Sequence, residues 1–373
     1  MTHRLLLLSL VAVSLAVTAC GTDSSPEHRR NGWVIGAATD AVTGVTTAKI
    51  LATADGGTTW TLQATPQAFT GMRGNDISAV SADAAWAALG TENEGEGQGA
   101  IAHTSNGGVT WRMQLLPPGM VSRHIKGIKG ISPTEAWAVS LRGDVLHTLD
   151  AGTTWTAVPV RRSDGQIISM QQVNRMDVTG NDIWIVDVLA LSQGVIHSPD
   201  RGLTWRQEQL PGLLSGHGPL TVSAHSTQTA WVGVNSEGNL WWTDNGGALW
   251  NKSSDSIGGT ADFDDICASS DDTVWVAMNQ GLGGGVTARI VVTGGAFSTV
   301  QFTDVAYNFE GISPLDDQRA WLVGMKTYRA DPGLPNGVIY STRDGGATWQ
   351  KETVPDTARD VDCWKVSFVG ARR

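Results

Sequence analysis

Two series of tryptophans recur along this chain at intervals of about 45 to 50 residues. Each member of the first series ends a phrase of the form Ser/Thr-x-Asp/Asn-x-Gly-x-Thr-Trp, hereafter the box, with Leu249 replacing the threonine once. The six boxes are marked by these residues: Asp55 and Trp60, Asn106 and Trp111, Asp150 and Trp155, Asp200 and Trp205, Asn245 and Trp250, Asp344 and Trp349. The last interval is about twice the others, which predicts a degenerate copy near Phe297.

The second series is independent of the first, and each of its tryptophans sits in a short apolar run such as AWAVS. Its seven members are Trp33, Trp86, Trp137, Trp184, Trp231, Trp275 and Trp321. One of them falls in the unit with the degenerate box, so this series fixes the number of units at seven. Strand-like units repeated every 40 to 50 residues indicate the blades of a β-propeller.

Each unit divides into four short strands with the box as the turn between the third and fourth. In the third unit the predicted strands are 128–132, 136–140, 145–148 and 154–158. The first unit begins at its second strand, 32–36, and an additional strand at 363–368 ends the chain. We therefore predict an all-β domain over residues 31–373, a seven-bladed propeller of four-stranded antiparallel blades. The C-terminal strand is expected to pair into the first blade and close the ring.

The N-terminus has the pattern of an export signal. Arg4 precedes an apolar stretch at 5–17, which is too short to span a bilayer comfortably and which ends in Val17-Thr18-Ala19-Cys20. These residues resemble the lipobox of bacterial lipoproteins. The resemblance implies a signal peptide at 1–19, lipid attachment at Cys20, a flexible tether at 20–30, and anchoring in the cell membrane or outer membrane. The alternative is an ordinary secretory leader with an incidental cysteine.

Composition narrows the possible partners. Lys and Arg number 26 against 36 Asp and Glu, a formal net charge of −10, which does not favour nucleic acid as a partner. The sequence has no Cys/His cluster with zinc-like spacing, and the boxes lack the oxygen-rich spacing of a calcium loop. We expect neither a metal nor a cofactor. Cys267 and Cys363 fall in non-adjacent blades, which favours two buried thiols over a disulfide.

The boxes resemble the Asp-box, or BNR, repeat of sialidases, sortilin-type receptors and some xyloglucanases. Their pairing with an apolar tryptophan run in each blade resembles the photosystem II stability/assembly factor family, over about residues 31–373. We interpret the box as structural, because its Asp or Asn can accept bonds from the amides of its own turn. The resemblance implies a non-enzymatic platform that assists assembly of a complex.

The box also orients each blade, so the functional surface is expected on the opposite face, where strand four leads to strand one. Basic residues gather there in blades two to four and acidic residues in blades six, seven and one. The candidate partner-binding residues are Arg73, Arg123, His124, Arg175, Asp264, Asn308, Glu310 and Asp360. A polarised face of this kind suits docking of a partner. The alternative is solvated loop charge.

The leading functional prediction is a monomeric, membrane-tethered, non-enzymatic propeller that binds a protein or protein complex of the cell envelope. The alternative is a carbohydrate-binding or glycoside-hydrolase propeller similar to sialidases, with a glycan as ligand. Tyr307 and Glu310 form the only loop pair with a sialidase-like combination, and the Arg-Ile-Pro motif of sialidases is missing.

Two further observations test the carbohydrate alternative. Other glycosidase chemistry requires two opposed carboxylates, for which Asp264 or Asp265 and Asp360 or Asp362 are available. Three tryptophans belong to neither series, and their grouping on the surface would favour sugar binding. They are Trp241, Trp242 and Trp364.

Overall fold

A computed structural model describes residues 31–370, apart from 92–96, 121–123, 189–193, 215, 236, 255, 258, 260, 281–283 and 294–295. The chain forms 28 strands in these residues. The first four blades contain, in chain order, β1 (Gly32–Thr39), β2 (Thr46–Thr53), β3 (Thr61–Leu62), β4 (Met72–Ala79), β5 (Ala85–Thr91), β6 (Gly99–Thr104), β7 (Arg112–Met113), β8 (Ile125–Gly130), β9 (Ala136–Ser140), β10 (Val145–Thr148), β11 (Thr156–Val158), β12 (Val173–Thr179), β13 (Asp182–Asp187), β14 (Gly194–Ser198) and β15 (Arg206–Gln209).

The remaining strands are β16 (Pro219–Ala224), β17 (Ala230–Val234), β18 (Leu240–Thr243), β19 (Asn251–Lys252), β20 (Asp262–Ala268), β21 (Thr273–Asn279), β22 (Gly285–Thr293), β23 (Ala296–Asp304), β24 (Tyr307–Pro314), β25 (Ala320–Lys326), β26 (Gly337–Thr342), β27 (Gln350–Lys351) and β28 (Asp362–Phe368). Two single 3-10 turns, Gln67–Phe69 and Asp356–Ala358, precede β4 and β28. Within the described ranges, no helix has the length and apolar character needed to cross a membrane.

The strands form seven four-stranded antiparallel sheets, which confirms the predicted seven-bladed propeller. Blade 1 has the order β28-β1-β2-β3, so the last strand of the chain is the innermost strand of the first blade. Blades 2 to 7 follow in chain order, each with its first strand innermost. The closure is therefore the one predicted from the orphan strand at the C-terminus.

The second strand of each blade carries the tryptophan of the second series. All seven of these side chains are buried, with exposed fractions between 0 and 6%. They pack between neighbouring blades because alternate residues of a strand face opposite sides of its sheet. Each blade therefore contributes one large aromatic group to the hydrophobic layer that it shares with its neighbour.

Serine hydroxyls link the innermost strands around the central channel. Ser78, Ser223, Ser313 and Ser367 occupy equivalent places, and each accepts a backbone N–H from the next innermost strand at 3.0 to 3.2 Å. In blade 3 the equivalent residue is Lys129, whose ammonium donates to Asp177 of blade 4 at 2.7 Å. These bonds fix each innermost strand relative to the next.

The box is a self-contained turn, as Asp150 illustrates. Its Oδ1 accepts the backbone N–H of Thr154 at 2.9 Å, and its Oδ2 accepts the Thr154 hydroxyl at 2.6 Å. The Thr148 hydroxyl donates to Asp150 and accepts the N–H of Gly152. Bonds from the Thr154 side chain and backbone hold the pKa of Asp150 below its ordinary value. The carboxylate is thus used within its own turn.

Blade 6 departs from this pattern. Its β22 and β23 form a long antiparallel hairpin, paired from Gly285 and Asp304 to Thr293 and Ala296, in place of a short third strand and a box. Phe297 lies at the end of this hairpin, where the sequence predicted a degenerate copy. Cys267 of blade 6 and Cys363 of blade 1 are buried thiols in non-adjacent blades, as predicted.

Candidate functional site

One residue interrupts the pairing register of every innermost strand. In β4, for example, Gly74 pairs with Leu89 and Asp76 with Ala88, which leaves Asn75 as an extra residue. Such a β-bulge redirects a side chain that regular pleating would point elsewhere. The seven bulge residues are Asn75, Lys126, Asn174, Leu220, Asp264, Glu310 and Trp364.

Six of the seven bulge residues line one cavity of about 270 Å³, which we call the mouth pocket. Its lining comprises Arg73, Gly74, Asn75, Lys126, Asn174, Arg175, Asp264, Glu310, Met325, Trp364 and Lys365. The bulges occur early in the innermost strands, whereas the boxes follow the ends of the third strands. Because neighbouring strands are antiparallel, the mouth pocket and the boxes lie at opposite ends of the blades.

The charges of the mouth pocket are segregated. Arg73, Lys126 and Arg175 come from blades 2 to 4, and Asp264 and Glu310 come from blades 6 and 7. Blades two to four are basic and blades six and seven acidic, as the sequence indicated, but blade 1 contributes Lys365 to the lining where acidic residues were predicted. The pocket therefore has a basic arc facing an acidic arc, a pattern that orients a ligand carrying both signs of charge.

Lys365 lies between the two acidic residues on the blade 1 side. Its ammonium donates to the backbone carbonyl of Asp264 at 2.9 Å and contacts the carbonyl of Glu310. It also lies 3.5 Å from the carboxylate of Asp265, and its side chain is 3% exposed. Through these two carbonyls Lys365 connects the bulges of blades 6 and 7, and its positive charge opposes the rise in the pKa of Asp264 and Glu310.

The two acidic bulge residues have perturbed titration. Burial raises the pKa of Asp264 well above its ordinary value, and the negative charge of Glu310 raises it further. Burial also raises the pKa of Glu310, against the opposing charges of Lys365 and Arg175. Carboxyl groups that share a desolvated site resist simultaneous ionisation. The acidic arc therefore takes up a proton more readily than solvated carboxylates do.

Several polar atoms at this end of the channel have unused hydrogen-bonding capacity. Among the described residues, Oδ2 of Asp264, Nε of Arg175 and Oδ1 of Asn308 are buried and have no hydrogen-bond partner. Buried polar groups in folded proteins are nearly always paired, with protein, water or ligand. Arg175 and Asp264 line the mouth pocket, so its lining residues include one donor and one acceptor that the described protein leaves unpaired.

Trp364 supplies an apolar surface beside these polar groups. It is half-buried, and the guanidinium carbon of Arg73 lies 5.6 Å from the centre of its ring. Arg73 and Trp364 come from adjacent blades, so their contact joins blades 1 and 2 at the rim. The pair forms a flat amphipathic surface on which a side chain or a peptide plane can stack.

The structure brings four of the eight predicted partner-face residues into this site or its lining: Arg73, Arg175, Asp264 and Glu310. Asn308 lies two residues before Glu310 on β24. His124 is buried between blades 2 and 3, where its ring contacts the carbonyl of Thr91 and the side-chain amide of Asn75, so it does not line the pocket.

The remaining two predicted residues are Asp360 and Arg123. Asp360 is exposed in the segment before β28 and is not part of the lining. Arg123 lies outside the described residues.

The boxes form their turns at the opposite end of the blades, as the sequence indicated. Cys20 also lies outside the described residues.

Comparison with known proteins finds similarity to assembly factors of photosystem II. The family model described as photosynthesis system II assembly factor YCF48 matches residues 120–283. The photosystem II stability/assembly factor HCF136 of Arabidopsis thaliana is 21% identical over 298 residues, 73% of this chain and 67% of that one. The photosystem II assembly lipoprotein Ycf48 of a Nostoc strain is 26% identical over 186 residues, 49% of this chain and 51% of that one.

This chain resembles the photosystem II assembly factors. It spans between about half and two thirds of the length of these two relatives. Among solved structures, that of YCF48 bound to a D1 peptide aligns with a TM-score of 0.55 at 15% identity, over 77% of this chain and 82% of that one. A GH74 xyloglucanase from Xanthomonas campestris aligns with a TM-score of 0.52 at 12% identity, over 86% and 68%. At such identities both structures show the shared fold.

The residues considered for sialidase-like chemistry do not form a site. Tyr307 is fully buried, and its hydroxyl lies 3.3 Å from the carbonyl of Pro335 and 3.2 Å from the ammonium of Lys351. It is not part of the mouth-pocket lining, whereas Glu310 is. A nucleophilic hydroxyl has to reach the substrate, so this tyrosine is unsuited to the role.

The other carbohydrate-directed predictions include Asp265 and three additional tryptophans. Asp265 accepts the backbone N–H of Ile312 and pairs with Lys365, which is a structural use of its carboxylate. The three additional tryptophans do not group on the surface. Trp241 is buried in blade 5, and Trp242 and Trp364 are half-buried in two different pockets. The described residues thus offer no aromatic groove built from these three side chains.

Seven lining residues were not among the predicted site residues. They are Gly74, Asn75, Lys126, Asn174, Met325, Trp364 and Lys365. The sequence placed the polar segments before strand one in loops, but most of these residues belong to the innermost strands. A bulge interrupts the alternation of apolar and polar residues, so a bulged strand has the sequence pattern of a loop.

Proposed function

We propose that this protein is a non-enzymatic assembly factor of the cell envelope, which binds a segment of a partner protein across the mouth pocket. The observation that carries the proposal is the ring of bulge residues. Seven equivalent positions carry six different residue types, whereas the boxes repeat nearly unchanged. The fold requires the repeated box residues, whereas the bulge residues differ in type and six of the seven line the mouth pocket.

The chemistry of the mouth pocket suits a polypeptide. A peptide segment presents backbone donors and acceptors together with side chains of either charge, and the pocket offers Asn75, Asn174, a basic arc and an acidic arc. A cavity of about 270 Å³ accommodates one or two side chains, with the rest of the segment lying over the rim. Binding energy is then concentrated at a few anchors, of which Trp364 and Arg73 are the best placed.

Similarity to the assembly factors supports the same class of partner. One solved propeller with this fold binds a D1 peptide, and the matching relatives are named as photosystem II assembly factors. We extend to this chain only the general role, which is holding a segment of a membrane or exported protein during assembly. The partner of this chain is a protein of its own cell envelope, and the propeller acts as a monomer.

We further propose that the domain is tethered to the membrane through lipid on Cys20, with 1–19 removed as a signal peptide and 20–30 as the flexible tether. The matching Nostoc relative is named a lipoprotein, which supports this proposal. A Cys20→Ser variant is expected to move from the membrane fraction to the soluble exported fraction. Equal retention of both forms in the membrane fraction would exclude lipid anchoring at this residue.

A charge-reversal comparison tests the proposed binding site. The full-length protein is used to capture partners from an envelope extract, beside the double variants Arg73→Glu/Lys126→Glu at the mouth and Arg112→Glu/Arg343→Glu at exposed positions near the boxes. Both variants change the net charge equally. We expect the mouth variant to lose at least 90% of the captured partner and the control to retain it. Equal losses in the two variants would refute a specific site at the mouth.

A further inference from the structure

The box of one blade covers the second-series tryptophan of the blade before it. Trp86, Trp184 and Trp275 each meet the box tryptophan of the following blade edge-on, with ring centroids 5.8 to 6.1 Å apart. Box glycines approach three further second-series tryptophans closely. A Cβ placed on Gly57, Gly108 or Gly202 would lie 2.5, 3.3 or 3.5 Å from Trp321, Trp33 or Trp137.

Trp231 of blade 5 is the exception, because blade 6 has a hairpin in place of a box. Where the other blades place a box, blades 5 and 6 leave a cavity of about 470 Å³. We call it the blade 5/6 pocket. It is lined by Thr229, Trp231, Trp242, Asp244, Asn251, Asp271, Asp272 and Val292. Its volume lies in the range of small-molecule sites.

Aromatic rings form the apolar part of this pocket. Trp231 and Trp242 are stacked with their ring centroids 6.0 Å apart and their planes at 25°. Phe297 meets the edge of Trp242 at 5.1 Å and fixes the position of its ring. Trp242 pairs directly with Trp231 across β17 and β18, at the position that histidines occupy in blades 2 to 4. The face of an indole ring carries negative potential and attracts cations.

The polar part of the pocket is acidic. Asp244, Asp271 and Asp272 are exposed at its edge, and no lysine or arginine is among the described residues that line it. Three carboxylates that form no ion pair within the described part of the chain, beside two indole rings, produce a negative potential that favours a positively charged ligand. The mouth pocket, which has both signs of charge, differs in this respect.

Trp231 adds one hydrogen-bond donor to a pocket whose charged groups, the three carboxylates, are acceptors. Its side chain is fully buried, and its Nε1–H has no hydrogen-bond partner among the described residues. A ligand that carries an oxygen near its cationic group satisfies this donor as well as the carboxylates. An amino alcohol has both groups within one short chain.

From these contacts we propose that the blade 5/6 pocket binds a small organic cation of the amino-alcohol class, such as a quaternary ammonium solute with a hydroxyl group. The ammonium group lies against Trp242 and near the three carboxylates, and the oxygen accepts from Trp231. This site lies at the box end of the blades, away from the mouth pocket, and it is independent of partner binding there.

The proposal is tested by titrating the full-length protein, labelled with ¹⁵N in its tryptophans, with choline. The indole N–H signals are the readout, and Trp231→Phe and Trp242→Phe variants assign the two resonances concerned. We expect both signals to shift with a saturable dependence on choline. The uncharged isostere 3,3-dimethylbutan-1-ol is expected to bind at least tenfold more weakly. Absence of a choline-dependent shift, or equal binding of the isostere, would overturn the proposal.

A pair of matched variants distinguishes loss of a carboxylate in the pocket from loss of the same carboxylate elsewhere in the propeller. Asp272 and Asp83 occupy equivalent turns in blades 6 and 2, where their carbonyls accept the N–H of Val292 and Gly107. Asp272→Asn is expected to weaken choline binding at least threefold, and Asp83→Asn to leave it unchanged. Equal effects of the two substitutions would contradict the site. Saturable shifts with methyl β-glucoside but none with choline would assign the pocket to sugars and refute the cationic ligand.

Discussion

The two ends of the propeller differ in how their polar side chains are used. At the box end, aspartate or asparagine oxygens accept bonds from their own turn, as in Asp150 and Asp344, whose pKa values are lowered by bonds from Thr154 and Thr348. At the mouth, Nε of Arg175 and Oδ2 of Asp264 are buried and have no hydrogen-bond partner among the described residues, and the pKa of Asp264 is raised. The carboxylates of these boxes are therefore satisfied within their own turns, whereas two buried polar atoms at the mouth are not paired within the described protein.

The largest expected effect on the free energy of unfolding comes from the closure of the ring, in which β28 completes blade 1 beside blade 7. Phe368 of β28 stacks on Trp321 with centroids 3.7 Å apart and meets the edge of Trp60, so it joins blade 1 to blade 7. Phe368→Ala should lower the free energy of unfolding by about 3 to 5 kcal/mol. Denaturant unfolding measures the loss. A change below about 1 kcal/mol would show that closure through β28 is not important for stability.

A box substitution should affect stability without affecting binding. The buried hydroxyl of Ser198 donates to Asp200 at 2.9 Å and accepts the N–H of Gly202 at 2.8 Å. Ser198→Ala leaves that N–H unpaired, so we expect a loss of about 1 to 2 kcal/mol in unfolding experiments. Partner capture by the folded variant should equal that of the wild type. A specific loss of capture would mean that the box takes part in binding.

At the mouth, substitution of Asp264 should raise the free energy of unfolding, whereas Ser198→Ala in the box should lower it. Its folded-state pKa is raised above the unfolded value, so its contribution to stability falls as pH rises from the unfolded pKa of about 4 towards the folded pKa. Asp264→Asn removes this penalty and should stabilise the protein at pH 7.5 by the order of 1 kcal/mol. The gain should shrink at pH 4. Thermal melts at both pH values measure it, and destabilisation at pH 7.5 would contradict the assigned pKa shift.

The smallest expected effect on stability is at Lys126, a half-buried bulge residue of the basic arc. Lys126→Ala should change the free energy of unfolding by about 0.5 kcal/mol or less. The same variant should capture several-fold less partner, and Arg343→Ala beside a box serves as the control. Unchanged capture by Lys126→Ala would remove the basic arc from the proposed binding site.

The fold could be predicted because its signals are periodic. The tryptophans of the second series mark the second strand of every blade, and the boxes mark the turn between the third and fourth. The orphan strand at the C-terminus predicted the closure through β28. The hairpin of blade 6 shows the limit, because the degenerate phrase near Phe297 did not reveal the cavity that replaces a box.

The candidate site could be predicted only in part, since bulges disturb the pattern by which strands are recognised. Arg73, Arg175, Asp264 and Glu310 were identified by charge and place in the unit. Trp364 was not, because a lone aromatic residue in a strand indicates core as readily as a site. In blades 2 to 7 each bulge residue lies ten or eleven residues before the second-series tryptophan. Alignment of the units on those tryptophans would have placed six bulge residues together.

The central claim is that the divergent end of the propeller contacts the partner and the repeated end does not. Site-specific photocrosslinking tests it directly, with a benzophenone amino acid placed at Met325 in the mouth-pocket lining or at Leu249, which is 60% exposed in the box of blade 5. Irradiation in an envelope extract should give an adduct of defined mass from position 325 and none from position 249. The same adduct from 249, with none from 325, would contradict the account.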